Sequence, residues 1–451
     1  MSLDRPPASL HFDDAPSVKT ALPGPKSAAI IERQSRLESA TVAYPKQLPI
    51  ALDAAAGATI RDVDGNHYLD LFSGIGVVNV GHSNPYVVDG VREQVGMLTH
   101  SLDFPSDVRL EFLEQLGSIL PGSLPDGFRV AFGGPTGSNA IEATLKLVRL
   151  HTGKTGMLAF RGGYHGSTFA SLSLSGNNKR KRGIGPLVPG STFAPYPGGT
   201  SPRSVAEVID TIHEVITDPY SGSPEIGGIW VEAIQGEGGV TVPPDDFLPE
   251  LRALASDLDV VLVVDEIQTG MGRTGRWFAC DHVGVTPDVM PVAKAIGGIG
   301  LPLSATVIRE EFDTWGPGGH VGTFRGHLPA MVAGTRAIEY IRRHALLDHA
   351  TRVGSMIRDR FSEVAADTNR IADVRGRGLF VGIELADAAG TPDPELVTTV
   401  RNTCLRNGVI VWSAGRHKHV LRLMPPLVIT EAQATRGVDI VIDALRDAIR
   451  E

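Results

Sequence analysis

Cysteine is almost missing from this chain of 451 residues, where Cys280 and Cys404 stand alone and far apart. Two isolated thiols offer no disulfide framework and no cysteine-based zinc site, and they fit a reducing, cytoplasmic setting. Long hydrophobic stretches are lacking too, so no segment reads as a membrane span. The opening MSLDRPPASLHFDDAPSV does not follow the charged-then-apolar order of a secretory signal. Positive charge is not in excess: the formal net charge is −9, which argues against a nucleic-acid-binding surface. A single basic run, KRKRG at residues 179–183, is the local exception. It reads as a solvated loop or as a means of attracting an anionic substrate. No His/Cys/carboxylate spacing of the metal-binding kind appears, so no metal is expected.

What is present suits a folded protein of two or three lobes, with 42% apolar and 21% charged residues. Pro6, Pro7, Pro16, Pro23 and Pro25 crowd the start with little apolar periodicity, so residues 1–30 read as an extended or disordered arm. Short strand-like segments follow, including TIRDVDGNHYLDL with a turn at Asp64-Gly65. Beyond about residue 85, helical patterns alternate with the continuous apolar runs FRVAF, GMLAF, GGIWVEAI, VVLVVDE and VMPVAK. Such runs indicate an α/β fold with a mostly parallel sheet covered on both faces. A final region with VRGRGLFVGIEL, VIVWSA and HVLRLMPPLVI reads as part of a smaller α+β domain. The expected division is an arm at 1–30, one segment of the small domain at 31–84, a large domain at 85–325, and the rest of the small domain at 326–451.

Ligands of open α/β sheets bind beyond the carboxyl ends of the strands, and several runs end there in reactive groups. VVLVVDEIQTG delivers Asp265 and Gln268, and GGIWVEAIQGEGG delivers Glu232, Gln235 and Glu237. MPVAKAIGGIG sets Lys294 inside an apolar run before the mobile pair Gly297-Gly298. A lysine there either snorkels to water or is buried as a nucleophile or Schiff-base former. In AFGGPTGSNAIEATLKLVR, Thr136, Gly137 and Ser138 begin a helix, where free N–H groups cap the chain or bind phosphate. In FRGGYHGSTF, Tyr164 and His165 lie in a glycine-rich loop, as packing residues or as a platform for a flat cofactor. A strand-end lysine and aspartate, a phosphate cradle and an aromatic face together meet the needs of pyridoxal 5'-phosphate.

At this point the chain resembles the class III aminotransferases, fold-type I enzymes that use pyridoxal 5'-phosphate. The likeness rests on residues 263–305 and on YLDLFSGIGVVNVGHSNP, WVEAIQGEGGV, VGTFRGHLPA, VRGRGLFVGIEL and LRLMPPLVIT. It implies that Lys294 carries the cofactor and moves protons, that Asp265 pairs with the pyridine nitrogen, and that Gln268 approaches the phenolic oxygen. Tyr164 would stack on the ring with His165 beside it, while Thr136, Gly137 and Ser138 hold the phosphate. Thr323 would reach the phosphate of a neighbouring subunit, which implies a homodimer with shared active sites. Arg422 would clamp a substrate α-carboxylate, as opposed to serving as a surface arginine on an edge strand, and Glu237 would neutralise it when a distal amine reacts.

Within that family GGPTGSNAIEA, HVGTFRGHLPA and RQSRLESATVAYPKQLPI are most similar to L-2,4-diaminobutyrate:2-oxoglutarate aminotransferases. The implied partners are a small amino donor and a 2-oxo acid acceptor. Ornithine and 4-aminobutyrate enzymes usually place an arginine where Ser167 stands, and ornithine enzymes a substrate-facing tyrosine where Ile75 stands. Both departures count against ornithine and leave the partner of the acceptor's distal carboxylate unassigned. The alternatives are a 4-aminobutyrate or other ω-amino acid transaminase, a racemase or epimerase on the same fold, and a non-catalytic scaffold.

Overall fold

The computed structural model describes residues 3–199, 201 and 203–450. Among them a seven-stranded sheet runs in the order Phe128–Ala131, Ala305–Arg309, Val289–Val292, Val261–Asp265, Ile226–Glu232, Gly156–Phe160, Ser191–Ala194. Only Ala305–Arg309 runs against its neighbours. The central strands are buried along their whole length, as their unbroken apolar sequences require. Side chains alternate between faces with the pleat. Leu158, Ile229, Val231, Leu262 and Val264 join the core on one side of the sheet. Met157, Ala159, Trp230, Val261 and Val263 pack on the other. There the helix Gly137–Thr152 lays down Ile141, Leu145 and Val148. Thr144 of that helix accepts the Trp230 indole N–H at 2.8 Å, so this large buried ring leaves no donor unmet.

The smaller lobe draws on both ends of the chain. Strands Leu52–Ala56, Thr59–Asp62 and His67–Asp70 form an antiparallel set, and Val409–Ile410 joins its edge in parallel. A second four-stranded antiparallel sheet orders Ile371–Arg377, Phe380–Leu385, Val420–Leu423 and Trp412–Ala414. Helix Leu328–Arg343 ties the lobes, burying Met331 and Ile338 in the large core and Ala337 and Tyr340 in the small one. Arg273 is a second tie. This fully buried guanidinium donates to the carbonyls of Leu379 and Pro425 and to the Asn79 side chain.

The proline-rich start, expected to be extended or disordered, is anchored. Leu10 and Ala15 are buried in the small-lobe core, and Ser17 bridges to His67. Asn66, fully buried, accepts the N–H groups of Lys19 and Thr20 at 2.7 and 3.1 Å and donates to Thr20 and Asp62. Helix Pro25–Leu37 then begins on the carboxylate of Asp64, which accepts the N–H groups of Lys26 and Ser27 at 2.8 Å. An anion there satisfies donors that the first helical turn leaves free. Asn66→Ala strands several of these buried partners and should cost about 1–3 kcal/mol. The expected result is a lower denaturant midpoint together with faster proteolytic cleavage within residues 16–25. An unchanged midpoint would mean that Asn66 does not hold the arm.

Candidate active site

Neighbouring strand ends bring the acids and the amine together. Glu232 and Asp265 are register partners at the carboxyl ends of adjacent parallel strands. Lys294 follows the next strand, Val289–Val292, after one further residue. It starts a single 3-10 turn, Lys294–Gly297, with φ of 53°, a strained value for a residue with a Cβ. Gly297 and Gly298, expected to be mobile, are buried. A Cβ on Gly298 would stand 2.5 Å from the Ala333 carbonyl oxygen, so glycine is there for close packing against the tie helix.

These groups face a cavity of about 180 Å³. It is lined by Thr136, Gly137 and Ser138 at the start of helix Gly137–Thr152, by Tyr164 and His165, and by Glu232, Glu237, Asp265, Gln268 and Lys294. The first turn of that helix offers N–H groups with no intrahelical partner. The Thr136 hydroxyl donates to Asn139 Oδ1 at 2.8 Å, fixing the turn. His165 Nδ1 donates to Asp265 Oδ2 at 2.8 Å, and Asp265 Oδ1 accepts the Ile267 N–H at 3.0 Å. Glu232 accepts the N–H groups of Tyr164 and Gly236 at 2.9 and 3.1 Å, holding the aromatic loop over the sheet. A Cβ on Gly236 would lie 1.7 Å from Gln268 Oε1, so a side chain there would displace the Gln268 amide.

Arg422 lies behind Glu237 and does not line the cavity. It sits on the small-lobe strand Val420–Leu423, is 1% exposed, and donates through Nη1 to Glu237 Oε1 at 2.9 Å. Its Nε and Nη2 are buried without partners. Unmet guanidinium donors beside a reactive site are suited to a carboxylate ligand. Glu237 Oε2 is 3.9 Å from Lys418 Nζ and 4.0 Å from Arg180 Nη2.

Burial and this charge pattern set the protonation states. Burial, reinforced by the positive Arg422, lowers the Lys294 amine to about 8, although Glu237, Asp265 and Glu232 pull the other way. Burial alone would raise Glu237, but Arg422, then Lys418 and Lys294, bring it down to about 2. Glu232 is raised to about 7 by burial, with His165 opposing. For His165 burial favours the neutral ring, yet the hydrogen bond and charge of Asp265 outweigh it and raise its pKa.

Two residues singled out in the sequence lie elsewhere. Ile75 occupies the left-handed turn Ser73–Gly76, with φ of 66°, and lines neither this cavity nor the cleft outside it. Thr323 is on an exposed turn, where its carbonyl accepts from His100 Nε2 at 2.8 Å, away from the cavity of its own chain. Conversely, three residues not singled out approach the site. Tyr44 packs at a tilt against Trp412, ring centres 4.9 Å apart, and burial followed by the Glu237 charge raises its pKa. Arg180 lies over the Tyr164 ring at 4.8 Å, and Lys418 flanks Glu237. Only Arg180 had a sequence signal, the basic run at 179–183.

The sequence and the fold have close parallels. The family profile "Aminotransferase class-III" matches residues 41–445. The chain belongs to the class III aminotransferases. It is 39% identical over 426 residues to a diaminobutyrate–2-oxoglutarate aminotransferase of Rhizobium meliloti, covering 90% of each chain. It is 34% identical to the Haemophilus influenzae enzyme of that name, covering 92% of this chain and 95% of the relative. Among solved structures, ornithine aminotransferase from Toxoplasma gondii ME49 superposes with a TM-score of 0.82 at 27% identity, over 96% of both chains. A transaminase from the marine bacterium Virgibacillus shares the fold with a TM-score of 0.85, over 94% of this chain and 99% of that one. This aminotransferase has no helix among its described residues long and apolar enough to cross a membrane.

The lowered pKa of Lys294 gives a direct test. Only the neutral amine attacks a carbonyl, so the rate at which Lys294 forms an imine with an added aromatic aldehyde, followed by absorbance, should rise with pH through a midpoint near 8. A midpoint at the ordinary lysine value near 10.4 would show that the pocket does not perturb this amine.

Proposed function

We propose that this aminotransferase moves the terminal amino group of L-2,4-diaminobutyrate, or a similar ω-amino donor, to 2-oxoglutarate. The cofactor would be pyridoxal 5'-phosphate, and the order ping-pong. The observation that carries this reading is the buried Arg422–Glu237 pair beside Lys294. Such a donor reacts at the end remote from its carboxylate, whereas a 2-oxo acid reacts next to one. A single site serves both when its carboxylate-binding arginine can be covered by an acid or exposed. The names of the relatives from Rhizobium meliloti and Haemophilus influenzae support the same donor and acceptor.

The residues present fit the cofactor. Thr136, Gly137 and Ser138 would hold its phosphate at a helix N-terminus, Tyr164 would cover one ring face, and Gln268 would meet the phenolic oxygen. Asp265, fixed by His165, would hold a proton on the pyridine nitrogen. When bound, the group supplies an electron-withdrawing ring conjugated to the substrate's nitrogen. Lys294 Nζ would anchor it and, once freed by the incoming amine, take the proton from the substrate's amine-bearing carbon. At a pKa near 8 the amine is poised for both giving and taking a proton.

The reading includes a homodimer in the cytoplasm. Met97, Leu98, Phe104, Val321 and Phe324 are exposed apolar residues on two segments joined by the His100–Thr323 hydrogen bond. An apolar patch of this kind marks an interface, and it would carry Thr323 towards the partner's phosphate. Both cysteines are buried free thiols, in keeping with a reducing compartment.

An amino-donor panel tests the substrate assignment. Diaminobutyrate with 2-oxoglutarate should give glutamate and parallel double-reciprocal plots, and turnover should vanish in Lys294→Ala. Faster turnover of 4-aminobutyrate would shift the donor, and racemisation of one amino acid without any oxo acid would replace the transamination reading. Sedimentation should give twice the chain mass, with Phe324→Asp producing inactive monomers. A parent protein that sediments as a monomer would remove the shared site.

A further inference from the structure

We propose that Arg180 grips the distal carboxylate of a dicarboxylic 2-oxo acid acceptor, an inference that rests on the transamination reading above. A diacid brings two carboxylates, and Arg422 answers one. Beside the inner cavity, Ser167 offers only a hydroxyl, 3.1 Å from that of Tyr164. The second cation has to come from elsewhere in the fold.

The outer cleft supplies it. Its volume is about 1020 Å³, and it adjoins the inner cavity through Tyr164 and Glu237, which line both. Although the chain's net charge is −9, seven Lys and Arg residues line this cleft against two glutamates among the described residues, so the mouth favours anions. Arg375 is already committed, donating to Asp373, Glu384 and the Gly239 carbonyl. Among the described cationic residues that line this cleft, only Arg180 and Lys418 come within 4.0 Å of the doorway acid, Glu237, whose other oxygen is held by Arg422.

Four features favour Arg180. Its guanidinium lies over the Tyr164 ring at 4.8 Å, a contact that limits its freedom before any ligand arrives. The same contact stands it beside the hydroxyl pair of Tyr164 and Ser167. Apart from Nη2, 4.0 Å from Glu237, the guanidinium has no side-chain hydrogen bond or ion pair among the described residues, so its donors remain for a ligand. Its planar fork also matches a carboxylate in two bonds, whereas the Lys418 ammonium is a strongly hydrated point charge. Arg422 and Arg180 thus stand on opposite oxygens of Glu237, Oε1 and Oε2, as two cations spaced by one acid. An extended diacid can bridge such a pair once Glu237 turns aside.

The test uses the cofactor-loaded enzyme with 2-oxoglutarate and with pyruvate, which has no second carboxylate. Arg180→Ala should lower kcat/KM for 2-oxoglutarate on the order of 30-fold, the size of one lost charged hydrogen bond. The loss should fall mainly on KM, with pyruvate changing less than about threefold. Arg180→Lys should recover part of the loss, and Lys418→Ala should affect both acceptors alike and weakly. Equal losses for the two acceptors in Arg180→Ala would mean that Arg180 acts through Glu237 alone, and no loss would mean that it is idle. Either result overturns the assignment. Calorimetric titration with glutarate and butyrate separates this inference from the catalytic reading. The parent should prefer glutarate, and Arg180→Ala should erase the preference. If 2-oxoglutarate is not turned over but the preference depends on Arg180, the acceptor assignment fails and the carboxylate site stands. If glutarate is not preferred, or the variant retains the preference, the carboxylate site fails.

Discussion

A guanidinium with 1% exposure has to be answered by an anion, and much of the site follows from how Arg422 is answered. Glu237 supplies the charge through one oxygen and leaves two arginine nitrogens unmet. Burial is the main reason the Lys294 amine is lowered to about 8, and the positive Arg422 adds to it against the pull of the neighbouring carboxylates. The same pair hides the arginine from the cavity while leaving it one side-chain rotation from use. A fully satisfied arginine would be a structural strut, and a wholly unpaired one would destabilise the fold.

The pair also crosses the boundary between lobes. Arg422 belongs to the antiparallel sheet of the small lobe, and Glu237 to the loop after the large-sheet strand Ile226–Glu232. Arg273 and the helix Leu328–Arg343 span the same seam with buried contacts. Titratable groups from strand ends of one lobe therefore meet a buried guanidinium from the other at a fixed separation. The geometry of the site depends on lobe packing as directly as on the side chains themselves.

The inner half of the site was legible in the sequence because strand ends announce themselves: an unbroken apolar run that stops at Asp265, Glu232 or Lys294 says both where the sheet is and where its mouth is. Helix starts were equally plain in the glycines and hydroxyls around Thr136. Long-range contacts were not legible. The arm looked loose because the groups that fix it, Asn66, Asp64 and His67, lie far along the chain in an unremarkable hairpin. Ile75 was placed near substrate by its position in a motif, but a left-handed turn removes it from both hollows. Tyr44 and Lys418 carried no local pattern, since only tertiary folding brings them to Glu237. Gly297 and Gly298 read as mobile, yet both are buried, and at Gly298 the Ala333 carbonyl of the neighbouring helix leaves no room for a Cβ.

The two hollows differ greatly in size, and Tyr164 and Glu237 belong to both. With the proposed cofactor in place, a chamber of about 180 Å³ would leave little space for a pair of reactants at once. Turn-taking would then be a matter of room: the spent product would have to vacate before its successor could settle. The spacious antechamber outside allows the next anion to wait close by, so traffic through one narrow gate need not mean long idle intervals.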